Sequence, residues 1–566
     1  MKTKSTAYPN SGAYLVIHGL GPRWECGFSV SIITFIHWAS ESGGVCGMRD
    51  SLESQDWLGL SISSQVRIEH QLKRRNQEFK KLGGSGSNHS LLGIGNTTTV
   101  SCLLFETTQP LIHRDIHPFY CAPHSTSTMA PKNRIIIDTD PGVDDIMALL
   151  LALSASPEDL EVAMISVTYG NVPLQSCLRN VVALFHVLEK EMAWRESVGK
   201  PVYGALNAYK PIVAVGPEHP LLVEELVADY FHGSDGLHGV HDAHPHLSPA
   251  DTWKTLFESL PSEATSSSAE PPSFSRYFTP SKTPSHLEIL RILKEEPENT
   301  VTIVAVGPLT NIALAASEDP ETFLRVKELV VMGGAVGVEG NVTPCAEFNC
   351  LADAFAAARV YALTSLTPSF TMPPNIPGKP NLPPYPAKLS RQLKLTLFPL
   401  DITTPHELKK QGFNAKIQPL KEAGSPLAQW TDTFVNGTFN KIDSILGDGH
   451  DAGLSLHDPL TIWYMMTRDH PGWKAVPKPE DIRIETTGQW SQGMHIVDRR
   501  QRAKPADRDT TVQTHPEDPI DAVTLDEVPG DHLGWLSVRK GNRINRMVES
   551  PGWDKFAGVL LDQIFA

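Results

Sequence analysis

The stretch RIIIDTDPGVDD, Arg134 to Asp145, places four aspartates within eight residues, directly after three isoleucines. Asp138 and Asp140 bracket one residue, while Asp144 and Asp145 follow a turn shaped by Pro141 and Gly142 and open a helical pattern. One or two carboxylates in the first turn of a helix need no ligand, because the helix dipole favours each by about 0.3–1 kcal/mol. Four converging on one turn repel one another and need a positive partner. A donor set made only of oxygens suits a hard divalent cation, Ca²⁺ or Mg²⁺, rather than zinc.

Other residues able to complete such a site are spread downstream. VTYGNV places Asn171 after a strand-like run, and YFHGSDGLHG carries His232 and Asp235 in a glycine-punctuated loop. VAVGPLTNIALA ends a strand at Val306 and starts a helix at Leu309. VVMGGAVGVEGNVTPCAEFN supplies Asn341, Glu347 and Asn349, and LSLHDPLTIWYMM sets His457 and Asp458 at the head of an apolar helix. Taken singly, each has a plainer reading. Asn171 and Asn341 sit beside glycine and suit turns, Glu347 suits a solvated surface, and Asp458 suits a helix N-cap.

From Arg134 onward, short β-branched runs alternate with helical patterns: RIIID then DDIMALLLAL, EVAMISVTYG then QSCLRNVVALFHVLEK, TVTIVAVG then LTNIALAA. This alternation predicts an α/β fold, a large doubly wound and mostly parallel sheet with helices on both faces. Ligands bind at the carboxyl ends of strands in such sheets, which is where DTDPGVDD falls. Residues 1–128 show no sustained period and are expected to be a poorly ordered extension or a mispredicted start, with one domain occupying 129–566. Two insertions interrupt it: a Ser/Pro-rich stretch at 260–286, expected to be mobile, and a Pro-rich one at 367–390, expected to run extended over the surface.

Composition excludes several classes. An apolar fraction of 40% with 20% charged residues fits a soluble protein with a large core, and a net charge of −15 argues against nucleic acid and anionic membranes as partners. Seven scattered cysteines without a CxxC pair suit reduced thiols in a cytoplasmic protein. No apolar run is long enough to cross a bilayer.

Together, DTDPGVDD, VTYGNV, VAVGP, the EFN segment and HDP resemble, in order, the motifs of the inosine-uridine preferring nucleoside hydrolase family, from about Lys132 to the C-terminal WDKFAGVLLDQIF. The resemblance implies Ca²⁺-dependent cleavage of a ribonucleoside to free base and ribose, in nucleoside salvage, by a homo-dimer or homo-tetramer. It implies calcium ligands at Asp140, Asp145, the Val306 carbonyl and Asp458, with Asp140 also the general base toward the attacking water. Asp144, Asn349 and Asp458 would hold the ribose 2′- and 3′-hydroxyls with Asn171 nearby. Asn341 and Glu347 would hold the 5′-hydroxyl, His457 would assist the departing base, and His232 would lie near the pocket mouth. Asp138 is expected to be structural.

Val306 stands where the family has a threonine, a change that matters little to the implied site because the carbonyl would be the ligand. The helix before HDP carries Phe434 and Phe439 where some members have tyrosines near the base, so base preference stays open. Two rivals remain. The DxD after a strand is similar to that of haloacid dehalogenase phosphatases, whose first Asp is the nucleophile, and a binding protein that lost catalysis would keep the same pocket. IHRDIHPFY lacks the other kinase motifs, and VIHGLGP has no GxSxG after it.

Overall fold

A computed structural model describes residues 131–224, 226, 231–257, 276–447, 453–500, 502, 530–537 and 539–566. The chain divides into two units, Met1–Tyr120 and Cys121–Ala566, and every described residue belongs to the second. The expected extension at 1–128 therefore lies outside the described residues.

The second unit is built on a nine-stranded sheet. In chain order its first seven strands are β1 (Asn133–Thr139), β2 (Leu160–Val167), β3 (Ile212–Val215), β4 (Thr279–Pro280), β5 (Val301–Ala305), β6 (Glu328–Met332) and β7 (Leu395–Phe398). Strands Ile544–Glu549 and Lys474–Ala475 extend the β7 edge. All neighbours pair in parallel except that last pair, which is antiparallel. The chain winds outward from β1 through β2, β3 and β4, then returns to β1's other side with β5 and winds out through β6 and β7. The reversal leaves a crevice at the carboxyl ends of β1, β2 and β5, where such sheets bind ligands.

Each face carries its own core, as a doubly wound sheet requires. Ile135, Ile137, Ile165 and Val304 point to one, and Ile136, Met164, Ile303 and Ala305 to the other. The period-2 alternation of β-branched residues is what splits them. The helix Val143–Leu153 is buried along its whole length, in keeping with its near-continuous apolar sequence.

Of the Ser/Pro-rich insertion, residues 276–286 are described. They include β4 on the sheet edge and the start of the helix Ser285–Glu295, so this end is structured, not loop. The segment at 367–390 has one short 3₁₀ turn, Pro368–Phe370, and is otherwise turns and irregular chain, much of it exposed. Arg359 anchors it by donating to the carbonyls of Leu382 and Pro383. No helix among the described residues is long and apolar enough to cross a membrane, and Cys177, Cys345 and Cys350 are free thiols.

Candidate active site

β1 runs into the aspartate turn, and hydrogen bonds from both neighbours fix its end. Val306 N–H donates to the Asp138 carbonyl at 2.8 Å and Thr168 N–H to the Thr139 carbonyl at 2.9 Å. Asp140 then lies past the last paired residue, where its side chain meets two glycines. A Cβ on Gly170 would stand 2.0 Å from Asp140 Oδ2, and one on Gly307 would stand 2.5 Å from Oδ1. Both glycines exist to make room for this carboxylate. Asn171 N–H donates to Asp140 Oδ2 at 2.7 Å, while Asp140 Oδ1 is buried without a hydrogen-bond partner.

Asp145 is the most heavily bonded of the four. Thr139 Oγ1 (2.6 Å) and Asp140 N–H (3.3 Å) donate to its Oδ1; Gly142 N–H (3.1 Å) and Asn171 Nδ2 (2.9 Å) donate to its Oδ2. The Gly142 bond also caps the helix Val143–Leu153. Asp144, one residue before, lines the pocket.

Asp144, Asp145 and Asp458 each offer a carboxylate oxygen within 4.8 Å of the others, and all three are buried. Asp140 does not belong to this trio but lies close enough to disfavour the ionisation of Asp458. Burial first, and then mutual repulsion, raises Asp140 and Asp458 well above the ordinary carboxylate range and Asp144 to about 8. Burial alone raises Asp145, whose hydrogen bonds from Thr139, Gly142 and others pull the other way. Carboxyl groups this close need either a shared proton or a cation between them. An all-oxygen donor set with one orphaned oxygen nearby fits a hard divalent ion.

Asp138 behaves differently. It is fully buried, and its Oδ1 accepts from Ser166 Oγ and, at 2.8 Å, from Asn311 Nδ2. Burial pushes its pKa up to about 7 against these two bonds. It ties β1 to β2 and to the helix Thr310–Glu318, away from the pocket.

Above the aspartates lies a pocket of about 530 Å³, lined by Asp144, Asn171, His232, Val306, Asn341, Glu347, Asn349, His457 and Asp458, all singled out from the sequence. Asp140 and Asp145 sit below this floor instead of lining it. The Val306 carbonyl accepts from Asn349 Nδ2 at 2.7 Å. Glu347 caps the helix Phe348–Ala352, accepting from the N–H groups of Asn349, Cys350 and Gly334 at 2.8–3.0 Å. Asn341 Oδ1 accepts from Phe348 N–H at 3.0 Å, so the asparagine and the glutamate brace one loop at the rim.

Both pocket histidines are held neutral. Val143 N–H donates to His232 Nδ1 at 3.0 Å, which leaves the ring proton on Nε2, and burial lowers its pKa to about 3. Burial lowers His457 to about 4, and its Nδ1 meets the Thr403 hydroxyl at 2.7 Å.

The remaining wall was missed in the sequence. Phe434 and Phe439 do not face the pocket; they are core residues of the helix Pro426–Leu446, against Trp430 and Phe413. The same helix turns Ile442, Ile445 and Leu446 to the pocket, opposite Phe231, Val342 and Leu454. Their i, i+3, i+4 spacing was the available signal. The wall beyond the polar floor is thus mainly aliphatic.

The chain is similar to several known proteins. The family profile described as inosine-uridine preferring nucleoside hydrolase matches residues 135–519. The pyrimidine-specific ribonucleoside hydrolase RihA of Salmonella agona is 31% identical over 375 residues, covering 64% of this chain and 88% of that protein. An uncharacterized protein of Schizosaccharomyces pombe is 29% identical over 367 residues, covering 64% and 89%. Among solved structures, a plant nucleoside hydrolase aligns with a TM-score of 0.48 and 21% identity, covering 77% of this chain and all of its own. The chain belongs to the inosine-uridine preferring nucleoside hydrolase family, hydrolases that act on the N-glycosyl bonds of ribonucleosides.

Proposed function

We propose that the protein is a Ca²⁺-dependent ribonucleoside hydrolase that releases free base and ribose, with Asp140 as general base. The observation that carries this reading is the orphaned, buried Oδ1 of Asp140 beside the trio of Asp144, Asp145 and Asp458, under a polar pocket floor. Asp145, Asp458, Asp140 and the second lone pair of the Val306 carbonyl would hold the ion. Calcium held there would lower the pKa of the attacking water and offset the mutual repulsion of the carboxylates.

The chain's own groups do the rest. Asn171 N–H fixes Asp140 Oδ2, so Oδ1 is the oxygen that takes the proton of the attacking water. Breaking the N-glycosidic bond builds positive charge on the sugar, and a floor of buried carboxylates stabilises it. Asp144, Asn349 and Asp458 orient the ribose by its hydroxyls, and a sugar lacking one would leave buried polar groups unpaired. Asn341 and Glu347 close the 5′ side. His232 offers a fixed Nε2–H, and His457 stands ready at the departing base. Such a product pair, free base and ribose, suits nucleoside salvage.

The phosphatase alternative needs Asp138 as an accessible nucleophile, and its complete burial and its bonds to Ser166 and Asn311 count against that. Asp140→Asn tests the reading. Turnover of uridine or inosine should fall by at least about 10²-fold, the scale of a lost general base, with the thermal transition unchanged. A variant with ordinary turnover would remove Asp140 from the role.

A further inference from the structure

Outside the pocket, one buried amide touches both halves of the site. Asn180 lies on the helix Leu174–Val198 and is fully buried. Its Nδ2 donates to the Pro141 carbonyl at 2.9 Å and to the Asp235 carbonyl at 3.0 Å. Pro141 lies in the aspartate turn, next to Asp140, and Asp235 belongs to the loop that carries His232. We propose that Asn180 is a positioning residue, a single clamp that sets the carboxylate turn and the His232 loop at a fixed separation. This rests on the hydrolase reading for its kinetic consequences.

The orientation of the amide follows from chemistry. Two carbonyls can only accept, so Nδ2 must face them and Oδ1 must face His241 Nε2, 2.9 Å away. His241 Nε2 therefore carries a proton, with Ser248 Oγ at its Nδ1. All of Asn180's donors and one acceptor lone pair are used, which leaves the amide one orientation.

The two segments it joins are each stiff and lead directly to site groups. On one side, the next two residues after Pro141 donate from their backbone: Gly142 to Asp145 and Val143 to His232. On the other side, Asp235 Oδ1 accepts from Leu237 and Gly239 N–H, and His238 N–H donates to the His232 carbonyl. Gly236, at φ +86°, passes so close that a Cβ there would lie 2.7 Å from Asn180 Nδ2. A shift of the clamp would move the Val143–His232 bond and the Asp140 turn together, and misplacement of this kind is costly to rate without removing any reacting group.

Three variants test the proposal: Asn180→Ala, His241→Gln and His241→Leu, each assayed for kcat and KM on a ribonucleoside, for Ca²⁺ affinity by calorimetry, and for melting. Gln places an amide donor where His241 Nε2–H stands, whereas Leu leaves the buried Asn180 Oδ1 without a donor and so loosens the clamp. Asn180→Ala should lower kcat by about 10- to 100-fold with a smaller change in KM, and weaken Ca²⁺ binding. His241→Leu should repeat part of both losses, and His241→Gln should restore them. Wild-type kcat and Ca²⁺ affinity in Asn180→Ala, or equal losses in the two His241 variants, would overturn the proposal. Should Asn180→Ala fail to fold, the His241 pair decides. Absence of base release by the unaltered protein would defeat the hydrolase reading instead, and the Ca²⁺ affinities would still report on the clamp.

Discussion

At the scale of single residues, the site is a set of carboxylates sorted by what surrounds each one. Asp140 is trapped between Gly170 and Gly307, Asp145 is saturated with hydrogen bonds, Asp144 and Asp458 face the pocket, and Asp138 is turned into the sheet. This sorting predicts a sharp contrast between neighbours. Asp138→Asn keeps an acceptor for Ser166 and Asn311 and should retain most activity, whereas Asp140→Asn should not. Gly170→Ala should cost as much turnover as Asp140→Asn while leaving secondary structure intact by circular dichroism, because its methyl would occupy the place of Asp140 Oδ2. Near-normal activity in Gly170→Ala would mean that Asp140 does not need its observed position. The aspartates themselves were legible in the sequence, since four in one turn demand an explanation. The glycines were not, because what they make room for lies on another strand.

At the scale of elements, strand ends and helix starts place the site's carboxylates, loops carry His232 and Asn341, and one helix supplies much of the apolar wall. Glu347 was expected as a ligand of the 5′-hydroxyl. In the structure it satisfies three backbone N–H groups at the head of Phe348–Ala352, and a Cβ on Gly333 would stand 3.4 Å from its Oε2. Glu347→Ala strands those donors, which costs about 1–3 kcal/mol for a buried group. It should therefore lower the melting temperature as well as raise KM; an unchanged melt would contradict the capping role. The helix Pro426–Leu446 predicts a different kind of variant. Ile445 is 54% exposed yet lines the pocket, so Ile445→Asp should raise KM severalfold with little change in stability. Helical phase, which a residue count does not reveal, turns Phe434 and Phe439 into the core and presents Ile442, Ile445 and Leu446 to the pocket instead.

At the scale of the whole molecule, the doubly wound architecture was legible from the alternation of buried strands and helices. The position of the crevice was not, since strand order is a long-range property. Only the return from the β4 edge to β5 shows that Asp140, Asn171 and Val306 meet at one switch point. Among the described residues the sheet begins at Asn133, and a chain starting at Met129 is proposed to retain hydrolysis; loss of soluble, active protein on that truncation would show the preceding residues to be needed.

Global stability should also report the buried carboxylates. Asp138 at about 7 and Asp144 at about 8 are raised above their ordinary 3.8. A raised folded-state value gives a contribution that is full below the unfolded value and lost as pH climbs through the folded one. Metal-free protein should therefore lose stability between about pH 4 and pH 8. Calcium needs the deprotonated ligands, so the gain in melting temperature on adding it should be larger at pH 8 than at pH 5. Equal gains at the two values would argue against carboxylate ligation.

The most direct test of the account is base release from a panel of ribonucleosides, followed by reducing-sugar detection, with enzyme stripped by a chelator and then resupplied with Ca²⁺. The account predicts ribose release from at least one ribonucleoside, its loss on chelation and its recovery with Ca²⁺. Hydrolysis that persists unchanged in the chelator, or none from any ribonucleoside alongside tight nucleoside binding, would contradict it.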